Sequence, residues 1–153
     1  MDYEMIKKER LIKGTKDSDT PTQKESITKK QINTCIIGIG SNINADKNIS
    51  GMLEILKRKV EVVKVSAMLK TKPIGITDQP DYTNGAVKIN TERDRKELTK
   101  LLKSIEDQLG RDRNGPKFGP RTMDLDIVVW NGEIVDKDYY TRGFLQKSVD
   151  EVQ

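Results

Sequence analysis

The feature that most restricts this chain is a change of hydrophobic period, repeated in a fixed order between residues 34 and 130. "TCIIGIGSN" is a short apolar run closed by a glycine turn, the pattern of a buried strand. Ile49, Met52, Leu53, Leu56 and Val60 then recur at helical spacing, which predicts a helix over about 46–59. Val63, Val65, Ala67 and Leu69 alternate with Lys64, Ser66 and Met68, the period of a half-buried strand. Pro73, Gly75, Pro80 and Gly85 interrupt the next stretch, and a third strand is expected over about 83–90. Asp94 as N-cap, Glu97 three residues on, a stripe of Leu98, Leu101, Leu102, Ile105 and Leu109, and closure at Gly110 define a second helix. "TMDLDIVVW" supplies the last strand. The order βαββαβ predicts an α+β fold of ferredoxin-like type, a four-stranded antiparallel sheet with its helices packed on one face.

With 153 residues, the chain has room for one core provided most of its aliphatics belong to it. Residues 1–33 are rich in Lys, Glu, Asp, Ser and Thr, and are expected to form a flexible N-terminal extension, with Ile6 to Ile12 as a candidate short helix. That leaves residues 34–153 as the domain. The net charge is +4; the extension carries 8 − 6 = +2 and the domain the other +2, too little for a strongly basic nucleic-acid binder. No apolar run is long enough to cross a bilayer. The expected form is a cytoplasmic monomer without nucleic-acid or membrane partners. A single cysteine, Cys35, and no histidine exclude an intramolecular disulfide, a Cys/His zinc site and a Ser/His or Cys/His catalytic pair.

Asp124 and Asp126 project from the same face of their strand, while Met123, Leu125 and Ile127 point the other way. Two carboxylates on one open face repel unless a cation stands between them. Mg²⁺ suits the place, because it binds through one or two carboxylates plus substrate phosphates. Just upstream, Arg111, Arg113, Lys117 and Arg121 are opposed only by Asp112, a local excess of 4 − 1 = 3 positive charges. Such a loop can clamp phosphate oxygens, and its glycines and prolines suit closure over a substrate. An Asp-x-Asp also occurs on ordinary sheet surfaces paired with lysine or arginine, so the two motifs together carry the reading.

"GPRTMDLDIVVW" resembles the signature of the 6-hydroxymethyl-7,8-dihydropterin pyrophosphokinase family, and "IGIGSN", "VSAMLKTKPIG", "DQPDYTNGAV" and "IEDQLGRDRNGPKFGPR" agree in order. The resemblance implies transfer of diphosphate from ATP to a pterin alcohol in folate biosynthesis, with release of AMP. It implies two Mg²⁺ ions on Asp124 and Asp126, with Arg111 and Arg121 acting on the triphosphate as catalytic arginines. It further implies ATP contacts from Glu106 and Ile127, and a pterin held by Thr71, Ile74, Tyr82, Asn84 and Phe144; Arg113 and Arg142 are further candidate ATP contacts, Arg142 being either a phosphate contact or a surface residue. Phe118 stands where the family commonly has tryptophan. No general base is implied.

After Trp130 the resemblance weakens. The family's histidine-containing stretch has no counterpart, Tyr139 or Tyr140 being the candidates for its place, and "RGFLQKSVDEV" is a short echo of the family's C-terminal segment. An active pyrophosphokinase is the first reading; a non-catalytic pterin- or nucleotide-binding protein of the same fold is the second. A polymerase-like nucleotidyltransferase would place its carboxylates close behind a Gly-Ser turn, whereas Ser41 and Asp124 lie far apart. An RNA-binding sheet would want more aromatics than Tyr82 and Trp130.

Overall fold

A computed structural model of the chain describes residues 31–153. Residues 1–30 of the expected extension, with the candidate helix at Ile6 to Ile12, lie outside the described residues, and Asn33 already opens the first strand. In chain order the elements are β1 (Asn33–Ser41), α1 (Ala45–Lys59), β2 (Glu61–Val65), β3 (Leu69–Thr71), β4 (Tyr82–Thr91), α2 (Arg95–Gln108), β5 (Asp124–Trp130), β6 (Glu133–Ile134), α3 (Asp138–Thr141) and α4 (Gly143–Val152).

The capping box forms as expected. Glu97 N donates to Asp94 Oδ1 at 2.7 Å, and Asp94 N donates to Glu97 Oε1 at 2.8 Å. Gly110 follows α2 with φ +86°, a left-handed position that closes a helix cheaply only for glycine. In α1 the last turn carries Lys57, Arg58 and Lys59, which complement the negative end of the helix dipole.

The sheet is antiparallel with order β2-β4-β1-β5-β6, and β3 pairs β4 alongside β2. It has six strands rather than the expected four. The expected second strand breaks at Ser66, whose backbone and hydroxyl both bond Ala86 (2.9 and 2.8 Å), and resumes as β3. A bulge near Val63 also shifts its facing, so Val62 and Val65 pack on the core and Val63 is exposed. The sixth strand comes from a tight hairpin at Asn131 and Gly132, both with positive φ (48° and 86°), the geometry of a type I′ turn.

Cys35, Ile37, Ile39, Val87, Ile89 and Leu125 face α1 and α2, meeting Ile49, Met52, Leu56, Leu98, Leu102 and Ile105 in the main core. The expectation of helices on one face alone is corrected by α4. Ile36, Ala86, Val128 and Val129 form an apolar patch on the other face, and Val149 and Val152 of α4 cover it. Alternation alone puts Ile36 and Val128 on this face, and the register slip of β5 between its pairings Ile37↔Ile127 and Ile36↔Val129 adds Val129 to them. The C-terminal helix therefore roofs half of the face that carries the two aspartates, and the other half stays open.

Candidate active site

On the open half, the pairing of β5 with β1 sets Asp124 opposite Gly40 and Asp126 opposite Gly38. Met123 and Leu125 are buried on the helix side, which fixes the aspartates on the other. The glycines keep the floor clear: a Cβ at Gly40 would stand 3.2 Å from Asn84 Oδ1, and one at Gly38 3.3 Å from Leu145 Cδ1. Above this floor is a cleft of about 430 Å³, walled by loop 72–81, loop 109–123 and the start of α4.

The two carboxylates have unlike surroundings. Asp124 Oδ1 is met by Arg121 Nη1 at 3.3 Å and Arg111 Nη1 at 3.4 Å. Asp126 is exposed toward the cleft; partial desolvation by the cleft walls, then Asp124, Asp136 and Glu106, push its carboxyl up to about 7 despite the opposing pull of Arg121. Asp124 is thus paired directly with guanidinium, whereas among the described residues no ion pair within 4 Å reaches Asp126. Among the described residues no group of three or more His, Cys, Asp or Glu side chains could enclose a metal. A cation here would have two carboxylates as protein donors, a set that fits an ion arriving with phosphate oxygens and water.

Of the residues expected at the site, Arg121, Asp124, Asp126, Arg142, Thr71, Ile74, Tyr82, Asn84 and Phe144 line the cleft together. Asn84 Nδ2 donates to Thr71 Oγ1 across the β3–β4 pair. The Tyr82 hydroxyl donates to Gly119 O at 2.8 Å. Arg142 is 3.6 Å from Asp138, one helical turn before it.

Glu106, Arg111, Arg113 and Ile127 do not line it. Glu106 is 4% exposed, against the expectation of a cleft-facing ATP contact. Its Oε2 accepts from Leu125 N at 2.7 Å, and its Oε1 pairs with Arg111 at 3.2 Å and Arg113 at 2.9 Å. Arg113 is also held by Asp107 at 3.0 Å, and Ile127 packs on the helix-side core. Arg111 spans the two regions, reaching Glu106 behind the sheet edge and Asp124 in front.

Lys117 of the basic loop lines the cleft as well, and Lys72, Asp136 and Asp138 line it without having been singled out for it. Asp136 and Asp138 had a readable signal, since the Asn-Gly turn folds the segment after β5 back over the sheet. The tyrosines considered for the family's histidine sit elsewhere: Tyr139 OH donates to Asp150 at 2.8 Å, and Tyr140 is 68% exposed.

Fold and cleft together define an antiparallel α+β protein with paired aspartates on a glycine floor and a rim of arginine and lysine. The family model described as 7,8-dihydro-6-hydroxymethylpterin-pyrophosphokinase (HPPK) matches residues 36–153, and the chain belongs to that family. Its sequence is 36% identical over 111 residues to the 2-amino-4-hydroxy-6-hydroxymethyldihydropteridine pyrophosphokinase of Haemophilus influenzae, covering 71% of this chain and 69% of that one. The Bacillus subtilis protein of the same name is 38% identical over 109 residues, 69% and 65% of the two chains. A "Folate synthesis bifunctional protein" of Arabidopsis thaliana is 34% identical over 119 residues; the match covers 76% of this chain but only 24% of that longer protein.

Proposed function

We propose that this protein transfers diphosphate from ATP to 6-hydroxymethyl-7,8-dihydropterin, giving AMP and the pterin diphosphate, in folate biosynthesis. The single observation that carries this reading is the meeting of Asp124 and Asp126 on the Gly38–Gly40 floor with Arg121 beside them. The order β2-β4-β1-β5 of the four longer strands, with the first two helices between them in sequence, supports a ferredoxin-like reading of the fold. Among the described residues no helix is long and apolar enough to cross a membrane; a cytoplasmic monomer is the form this reading takes.

Asp124 and Asp126 would hold two Mg²⁺ ions, which when bound supply neutralising charge for the ATP phosphates. Tyr82 and Phe144 would flank the flat pterin ring, with Asn84, Thr71 and the backbone near Ile74 along its polar edge. This aligns the pterin hydroxyl with the β-phosphorus, and alignment supplies much of the rate in phosphoryl transfer. Arg121 and Arg111, with Arg142 from the opposite wall, stabilise the charge that gathers as the bond to AMP breaks. Glu106 serves from behind by fixing Arg111, Arg113 and the Leu125 amide, and Ile127 supports the floor from the core side.

Product analysis tests the reaction class. Purified protein with Mg²⁺, ATP and the pterin alcohol is expected to release AMP, not ADP, in step with pterin diphosphate. Binding of both substrates without AMP would instead mark a non-catalytic binding protein.

A further inference from the structure

Two side-chain amides beside the cleft tie its loops to the end of β1. Gln79, in loop 72–81, donates through Nε2 to Ile76 O at 2.6 Å and to Phe118 O at 2.7 Å. Its Oε1 accepts from Asn42 Nδ2 at 2.8 Å. Asn42 directly follows β1 and is 6% exposed. Its Nδ2 also donates to Pro80 O at 2.9 Å, and its Oδ1 accepts from Arg121 N at 2.9 Å. Its own backbone N donates to Arg121 O at 3.0 Å.

Each of these amide groups directs both of its N–H donors at oxygen atoms, so turning either one over would set oxygen against oxygen. Their orientations are therefore determined by the network. Phe118 adds a packing contact, since it lies so close to Gly75 that a Cβ there would stand 2.8 Å from Phe118 Cγ. The loop carrying Arg121 is thus located at Phe118 and Arg121 by groups from two other segments of the chain.

We propose that Gln79, acting through Asn42, is a positioning residue that locks the arginine loop and so holds Arg121 beside Asp124. Its effect on catalysis rests on the phosphotransfer reading above, while the lock itself does not.

Two variants test it. Gln79→Glu keeps the size and the acceptor for Asn42 but turns a carboxylate toward two carbonyl oxygens; Gln79→Met removes all three bonds at similar volume. In the free protein, amide hydrogen exchange at Arg121 is expected to rise at least about 10-fold in both variants, with exchange at core position Val87 unchanged. With ATP and the pterin alcohol, kcat is expected to fall about 100-fold while KM for ATP moves less than about threefold. In Gln79→Glu the kcat ratio to wild type should recover several-fold as pH is lowered from about 8 to about 5, because a protonated carboxyl regains one donor. Gln79→Met should show no such recovery, which separates positioning from general loss of structure. Unchanged exchange at Arg121 in both variants overturns the proposal, and so does a Gln79→Glu ratio as flat with pH as that of Gln79→Met. Altered exchange in a protein that yields no AMP even as wild type would leave the lock standing and remove the phosphotransfer reading.

Discussion

At the scale of single residues, the unequal surroundings of Asp124 and Asp126 have consequences for pH. Folding raises the Asp126 carboxyl from 3.8 to about 7, so between those values the folded chain binds more protons than the unfolded one. Stability from this group is then lost as pH rises through that window, and is level above it. Asp126→Asn should therefore melt at a higher temperature than wild type at pH 8, with the difference vanishing near pH 4; thermal denaturation at the two pH values checks it. Gly40 gives a second expectation. An Ala Cβ there would press on Asn84 Oδ1 at 3.2 Å, so Gly40→Ala should weaken pterin binding about 10-fold by disturbing one hydrogen-bonding group, with little change in urea stability. Pterin titration followed by fluorescence decides this.

At the scale of elements, α2 links the core to the arginine loop through Glu106. Truncating a buried ion-pair partner strands its counter-charges, so Glu106→Ala should cost about 3 kcal/mol. Arg113→Ala, at a side chain 38% exposed, should cost less than about 1 kcal/mol. Urea unfolding of the two variants measures the contrast. The sequence held a sign of this burial: Leu98, Leu102, Ile105 and Glu106 lie at i, i+4, i+7 and i+8, so the carboxylate falls on the apolar stripe. Elements with a sustained period or a complete cap were legible, as α1, α2, β1, β4 and the facing of Asp124 and Asp126 show. The break at Ser66 was not, because it depends on hydrogen bonds to Ala86, a residue distant in sequence. The placing of α4 was not either, since the patch it covers is completed by a register slip in β5 that brings Val129 to the face Val128 already occupies.

At the scale of the molecule, one sheet face is divided between two duties. Its apolar half is sealed by α4, and its glycine-floored half carries the carboxylates, with charged loops on one side and the helix start on the other. The seal also brings Arg142 and Phe144 to the cleft, which explains how a segment that resembles the family only weakly still completes the wall. The central claim is that Asp124 and Asp126 bind ATP through Mg²⁺. Calorimetric titration of ATP into wild type and Asp126→Asn, each with Mg²⁺ and with chelator, tests it most directly. The prediction is that Mg²⁺ tightens ATP binding to wild type at least about 10-fold, and that Asp126→Asn removes this gain while matching wild type in chelator. Equal ATP affinity for wild type with and without Mg²⁺, or an undiminished Mg²⁺ effect in Asp126→Asn, would contradict it.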